Sequence, residues 1–582
     1  MAGVWFRKGL RLHDNAALAE AAKARDQVFP FFVLDPHFDR ERVGVNRYQF
    51  LLQSLRDLDH QLRSQHGSRL LVLRGSPETV MTELFQGKGP FYVTALFWER
   101  DLEPYARRRD ACVEDLAKKF GVQTRSFVGH TLLDLEAVVA SPGFKPPISM
   151  RDIESLVKQH GPMSPPLPAA KVPPLHMEGF DVPDISELYD EPPTSEGFPG
   201  GEREALRRLD AVCTDVEYVC RFEKPKTTST GRPRRPWEPS TTGLSPYFKF
   251  GCLSVRTAWQ AFARCIAGRR HTLPPQSLHG QLLFREMFYV LGMAVPKFDQ
   301  AAGNPMCKPI PWGEDAALLE AWEAGKTGFP FIDALMRQLR TTGFMHHLGR
   351  HAVACFLTRG DLWQSWLRGR DVFDRLLLDA DWAVNNGNWL WLAGVAPFSA
   401  PYFRVYDPCP GPRSSLNATQ VAEFVKLFVP ELRAMPDRYI CKPWEAPPQV
   451  QKQAGCVIGS DYPAPIVDHK VVREANIQRF KESLDALAVG ALPEKFGAAA
   501  TSDPGPAATR FVSLRPEGAR GDGTPGAKGQ GKGGQARLGG APRGGKRPDG
   551  AAQGETPAEG AEPDAGQAKL RRWVRASERA PG

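Results

Sequence analysis

The sequence lacks most of the features that assign a chain to a class at sight. Its ten cysteines show no CxxC spacing. A chain of 582 residues does not need disulfide staples, so the thiols read as reduced and intracellular. No run of about 18 apolar residues occurs, and no membrane span is expected. Residues 1–18 hold no apolar h-region, which argues against a secretory signal, and Val4-Trp5-Phe6 reads as a buried strand, not as part of a transit peptide. No GxGxxG follows that first strand, so a Rossmann dinucleotide site there is not supported. No internal repeat is present. Charge of one sign is also scarce. The net charge is +9, and residues 497–582 carry 14 basic and nine acidic side chains. That leaves about +4 for the rest, too mild by itself to mark a nucleic-acid patch.

What the chain has in excess is glycine and proline, 54 and 52 residues, and the excess falls in two places. Residues 497–582 hold 19 of the Gly but only seven large apolar side chains (Phe511, Val512, Leu514, Leu538, Leu570, Trp573 and Val574). Seven are too few for a packed core, so a disordered Gly/Ala/Pro/Arg-rich tail is expected. Residues 141–200 contain 13 Pro and little periodicity. With its flanks, 136–201 reads as a connector draped over the surface.

Residues 1–135 alternate β-rich runs (3–6, 28–34, 70–73, 92–97 and 123–127) with helical patterns (16–25, 48–65, 77–85 and 105–120). Such alternation predicts an α/β domain with a doubly wound parallel sheet. From 202 to 496 long amphipathic patterns dominate: 204–219, 255–267, 275–291, 316–323, 331–341, 346–358 and 362–377. They predict an all-α domain.

Four groups of residues carry chemistry. Seven of the 13 Trp lie between 312 and 391, and Trp363 and Trp366, three apart, are expected on one helical face. They read either as a large aromatic core or as a relay of oxidisable indoles. Ser240-Thr241-Thr242-Gly243-Leu244-Ser245 puts hydroxyls around a Gly before a helix, which is either an ordinary cap or a phosphate cradle. His347 and His351 stand at i and i+4 on one face. That spacing suits a zinc pair, but the metalloprotease pattern needs Glu after the first His and has none here. The pair is otherwise two core histidines or a proton donor and its partner. Finally, residues 378–389 pack Asp379, Asp381, Asn385, Asn386 and Asn388 among apolar side chains. Buried polar groups of that density need partners, and a flavin ring would supply them. Asp379 could also pair with Arg350.

These residues carry a resemblance. Trp5-Phe6-Arg7-Lys8-Gly9-Leu10-Arg11-Leu12-His13-Asp14-Asn15 resembles the opening of the photolyase/cryptochrome family. So do Leu244-Ser245-Pro246-Tyr247, Lys326-Thr327-Gly328-Phe329-Pro330 with Asp333, and residues 379–391. Together they span residues 3–490 in the family's order. His346-His347, Arg350-His351-Ala352-Val353-Ala354-Cys355-Phe356 and Thr358-Arg359-Gly360-Asp361-Leu362-Trp363 are similar to the (6-4) photolyase and animal-type cryptochrome branch. Two departures stand out. Phe284 occupies a position where that branch usually has Trp, and residues 392–397 look nearer to microbial photolyases.

The resemblance implies FAD, folded in a U inside the helical domain. Ser240, Thr241, Thr242, Gly243 and Leu244 would lie along its phosphates and Arg285 near it. Arg350 and Asp379 would pair beside the ring, Asp381 would face its pyrimidine edge, and Asn385, with Asn386 next to it, would sit opposite N5. Trp389, Trp366 and Trp312 match the family's electron relay, and Trp363 its outer fourth member. For repair, His347 is implied as the catalytic acid with His351 tuning it, while Gln281, Phe284 and Trp391 would line the pocket for bases flipped out of UV-damaged DNA. No metal is implied. A second, antenna chromophore (deazaflavin or folate) is common in the family's α/β domain, and no residue here specifies one.

The functional reading is FAD-dependent, light-driven repair of (6-4) photoproducts. One alternative is a cryptochrome-type blue-light receptor signalling through the tail, and another is a light-independent transcriptional or clock regulator. Around 568–578, Leu570, Trp573 and Val574 among Arg571, Arg572 and Arg575 read either as a solvated basic end or as a docking helix formed on a signalling partner. The expected location is nucleus or cytoplasm, with Lys546-Arg547 and Arg571-Arg572 as candidate nuclear signals.

Overall fold

The first strand begins one residue earlier than its apolar run suggests. In the computed structural model, which describes residues 1–161, 163–195, 197–224, 241–410 and 418–489, five strands form one sheet. They are β1 (Ala2–Phe6), β2 (Val28–Leu34), β3 (Leu71–Arg74), β4 (Ala95–Glu99) and β5 (Gln123–Phe127). Their order is β3-β2-β1-β4-β5 and every pairing is parallel. All residues of β1, β2 and β4 are buried, as expected where helices cover both faces of a sheet. The covering helices are α1 (Ala16–Ala24), α2 (Val45–His66), α3 (Pro77–Gln86) and α4 (Pro104–Phe120). Three of the four end at a left-handed Gly cap (Gly67, Gly87 and Gly121), the conformation that glycine adopts without strain. The strand order reverses between β1 and β4, where an open α/β sheet has its ligand crevice.

The Pro-rich stretch is more ordered than its composition suggests. It is entered from α5 (Leu135–Val139) and contains α6 (Met150–His160), capped by Ser149 and burying Ile153 and Leu156. Further on it is pinned by hydrogen bonds: Val72 N–H donates to the Phe180 carbonyl at 2.7 Å, and Thr194 Oγ1 to the Thr341 carbonyl at 2.6 Å.

The rest is helical: α7 (Glu202–Thr214), α8 (Val216–Arg221), α9 (Ser245–Phe250), α10 (Val255–Ile266), α11 (Leu278–Ala294), α12 (Ala316–Ala324), α13 (Pro330–Thr342), α14 (His347–Cys355), α15 (Trp366–Leu376), α16 (Trp382–Leu392), α17 (Ala418–Phe428), α18 (Pro448–Gln453) and α19 (His469–Ala488). The pattern over 204–219 is one run in sequence but two helices in space, because Asp215 ends α7 and caps α8 by accepting from Tyr218 N–H. One apolar cluster joins β1 and β2 to α2, α7, α9 and α10, so the α/β and helical parts share a core. No described helix is long and apolar enough to cross a membrane. The expected tail, its docking helix around 568–578, the candidate nuclear signals and Ser240 lie outside the described residues.

Candidate functional site

Asp379 and Asp381 straddle the turn into α16. Leu378 N–H donates to the Gly343 carbonyl at 2.8 Å, which fixes that turn against the end of α13. Asp381 then caps α16, accepting from Val384 N–H at 3.3 Å. Asp379 Oδ2 accepts from Ser245 Oγ at 2.6 Å and from Arg350 Nη2 at 2.9 Å, so one carboxylate ties α9 and α14 to α16. The expected Arg350–Asp379 pair is therefore formed. Asp379 Oδ1, by contrast, is buried with no hydrogen-bond partner. A buried carboxylate oxygen without a donor is costly, and the position suits an N–H from a bound molecule. The N3–H of an isoalloxazine is such a donor, so these residues fit FAD.

Asp381 is enclosed. The Tyr289 hydroxyl donates to its Oδ2, His130 Nε2 stands at 3.6 Å and Arg285 Nη2 at 3.9 Å. Arg285 Nη1 also donates to the His130 carbonyl at 2.9 Å. Burial would raise the Asp381 carboxyl, but His130, Arg285 and Lys8 overturn that and hold it well below the usual carboxylate range. Burial beside this carboxylate pushes the Tyr289 phenol well up. Sequence reading found Arg285 and missed His130, Tyr289 and Lys8. Tyr289 shows only as a polar group in an apolar run, among Met287, Phe288, Val290 and Leu291, and Lys8 lies in the Trp5–Asn15 segment with no role marked by its neighbours.

The two asparagines face α15. Asn385 Nδ2 donates to the Arg370 carbonyl at 3.1 Å. Asn386 accepts from Arg370 Nη1 at 2.7 Å and donates to the Trp382 carbonyl at 2.9 Å. Asn386 is thus committed to holding α15 on α16. At the proposed phosphate end, Gly243 takes a left-handed φ of 64°, which lets Thr241 and Thr242 turn into α9 behind the buried Leu244.

The histidines lie on α14. The rings of His347 and His351 are 6.0 Å apart and nearly perpendicular. His351 Nδ1 meets the Tyr406 hydroxyl at 3.1 Å, and its ring lies 5.4 Å from Trp391. Both ring nitrogens of His347 are buried without a hydrogen-bond partner. Burial, reinforced by Lys224, lowers both rings, His351 to about 3 and His347 further. Burial and then Arg350 lower His346 to about 4. Lys224 is itself pushed down to about 8 by burial and by Arg350. Lys224 and Tyr406 are functional candidates that sequence reading missed, since both come from loops with no motif of their own. Gln281 and Phe284, one turn apart on α11, are partly exposed, and Gln281 Nε2 donates to the Pro275 carbonyl at 2.8 Å.

The tryptophans need one correction. Trp363 and Trp366 do not share a helical face. α14 runs into a π-turn over Phe356–Gly360, Trp363 has a φ of 55°, and α15 starts only at Trp366. The segment is held out of the helix by Gly313 N–H donating to the Trp363 carbonyl at 2.8 Å, next to a bridge between Gly313 and Gln364. That detour sets Trp363 against Trp312, with ring centroids 4.9 Å apart. Trp366 and Trp389 are fully buried. Gly369, three residues after Trp366, lies so close to the Trp389 ring that any Cβ there would overlap it.

Comparison with known proteins finds relatives along most of the chain. Residues 277–482 match the model of the FAD binding domain of DNA photolyase, and residues 2–173 match the DNA photolyase model. The chain is 44% identical over 490 residues to a (6-4)DNA photolyase of Arabidopsis thaliana, covering 80% of this chain and 85% of that one. It is 43% identical over 503 residues to Cryptochrome-2 of Gallus gallus, covering 83% of each. Among solved structures it resembles a bacterial class III photolyase from Agrobacterium tumefaciens, with TM-score 0.69 and 28% identity over 83% of this chain and 98% of that one. It also resembles an archaeal photolyase from Sulfolobus tokodaii with two FAD molecules, with TM-score 0.64 and 26% identity over 83% and 100% of the two chains.

Proposed function

We propose that this chain, which belongs to the photolyase/cryptochrome family, repairs (6-4) pyrimidine–pyrimidone photoproducts in DNA. The family carries out light-driven DNA repair or cryptochrome photoreception, and the helical part of the chain is an FAD-binding domain. The observation that carries the repair reading is the His347/His351 pair. Two imidazoles stand one helical turn apart, beside Trp391 and Tyr406, with Lys224 near enough to oppose a charge on both rings.

FAD, when bound, supplies the light-driven electron. The chain does the rest. Arg350, Asp379 and Ser245 would hold the bound ring at its N3–H, and Asp381, kept anionic by its neighbours, would face the same pyrimidine edge. Tyr406 fixes the His351 ring through Nδ1, so His351 orients and His347, with both nitrogens unengaged, gives its proton to the departing hydroxyl or amine of the lesion. Without DNA both rings are neutral, because burial and Lys224 oppose their charge. An anionic phosphodiester paired with Lys224 offsets that field and raises the proton affinity of both rings as substrate binds. Gln281 hydrogen-bonds the flipped bases, while Phe284 and Trp391 pack on them.

Blue-light illumination of the FAD-loaded protein with a (6-4)-damaged oligonucleotide tests this reading, with a cyclobutane dimer and darkness as controls. Repair of the (6-4) lesion alone, and only in light, is expected; repair of the dimer alone would refute the assignment.

A photoreceptor role in the same chain is favoured by the Trp312–Trp363 contact, which extends a relay towards the surface helix α19. A second chromophore, deazaflavin or folate, belongs to the same proposal. The crevice between β1 and β4 suits one, and there Lys8 Nζ meets Asp101 at 3.1 Å and Glu103 at 2.5 Å.

A further inference from the structure

His130, in the loop after β5, is buried, and its Nε2 has no hydrogen-bond partner. The nearby carboxylate oxygen is Asp381 Oδ2, at 3.6 Å, just beyond hydrogen-bonding length. A buried ring nitrogen left in that state costs stability that an apolar side chain would not. The same ring lines a cavity of about 370 Å³ between the β4–α4 turn, α5 and α11. Trp98, Leu102, Tyr289 and Met293 help to wall it, and Ala111 of α4 stands at its exposed side. This cavity lies away from the histidines of α14, none of which lines it.

We propose that His130 is a positioning residue that links Asp381 to solvent through this cavity, so that the proton balance of the Asp381–Tyr289 pair is set from the α/β side and not through the lesion pocket. The proposal rests on the reading above only in taking Asp381 as a carboxylate facing the flavin. A proton arriving from the cavity adds to one ring nitrogen while the proton on Nε2 passes towards Asp381 Oδ2. The ring gains one N–H bond and loses one, and no other reactant is needed.

The charged groups around the ring come from four elements. Lys8 follows β1, Asp101 lies in the β4–α4 turn, Arg285 and Tyr289 are on α11, and Asp381 caps α16. Lys8 and Arg285 oppose a charge on the ring, and the two carboxylates favour it. Burial, followed by Arg285, brings the ring down to about 3, so near neutral pH it is an uncharged donor and acceptor, the state in which it can pass a proton through.

Deuterium exchange at the histidine Cε1 position, followed residue by residue by mass spectrometry, tests this in the full FAD-loaded chain in the dark. Ala111→Trp, at an exposed α4 position, should slow exchange at His130 several-fold and leave His347 and His351 unchanged. Asp381→Asn should move the His130 midpoint to lower pH. His130→Gln should keep FAD bound but remove the acid-side pH dependence of the flavin absorption spectrum, whereas Glu136→Asn, at a neighbouring exposed position, should not. Unchanged His130 exchange in Ala111→Trp, or slowing only when a damaged oligonucleotide covers the lesion pocket, would overturn the proposal. None of these readings depends on repair, so a failure of the (6-4) assignment is seen separately.

Discussion

Arg350 Nη2 and Asp379 Oδ2 meet at 2.9 Å, with the aspartate buried and the arginine partly exposed. The arginine is anchored again by Nε donating to the Met345 carbonyl at 2.7 Å. The pair joins α14, which carries the histidines, to the turn that carries Asp379 and Asp381.

Removing one member leaves the other unpaired, which costs about 3–5 kcal/mol for a buried pair. The partial exposure of Arg350 puts Asp379→Ala towards the lower end of that range. The variant should lose FAD on gel filtration, read as the ratio of flavin to protein absorbance, and should unfold at lower temperature. Asp379→Asn, which keeps one acceptor, should retain more FAD than the alanine variant.

The buried histidines make stability depend on pH in a defined direction. His130, His346 and His351 are lowered in the fold to about 3, 4 and 3, against about 6.5 when unfolded. The unfolded chain therefore binds more protons, so their contribution is fully present above about pH 6.5 and is lost as pH falls towards the folded values. The urea midpoint should be lower at pH 5 than at pH 7. His346→Asn keeps an acceptor at the cap of α14 and should flatten that difference.

Gly369 faces Trp389 without room for a methyl group. Gly369→Ala should destabilise the chain by about 1–3 kcal/mol through overpacking, visible as a lower melting temperature, and, with Trp389 in the proposed relay, should disturb photoreduction.

The proposed relay predicts graded losses. Trp389→Phe should abolish light-driven reduction of oxidised FAD. Trp363→Phe, at the outer end, should leave initial reduction in place but shorten the lifetime of the charge-separated state, as followed by transient absorption. Equal kinetics in both variants would remove Trp363 from the path.

The strands were legible because burial on both faces writes unbroken apolar runs, as in Val28–Leu34. The histidine face was legible because His347 and His351 lie at helical spacing, and the Arg350–Asp379 pair, 29 residues apart, because a carboxylate set among apolar residues needs a partner. The break before α15 was not. The pattern over 362–377 is helical in period, and what overrides it is a hydrogen bond from Gly313, some fifty residues away in the chain. His130, Tyr289 and Lys224 were missed for the same reason. Each belongs to the site through an element whose packing brings it there, and no local spacing records that packing.

The central claim is that His347 supplies the proton for (6-4) repair. Its most direct test is the light-saturated repair rate of His347→Asn against the unmodified chain, at matched FAD content and lesion binding. The account predicts a loss of at least about 10²-fold, the scale of general acid catalysis, with photoreduction of FAD unchanged. Repair by His347→Asn at the rate of the unmodified chain would contradict it.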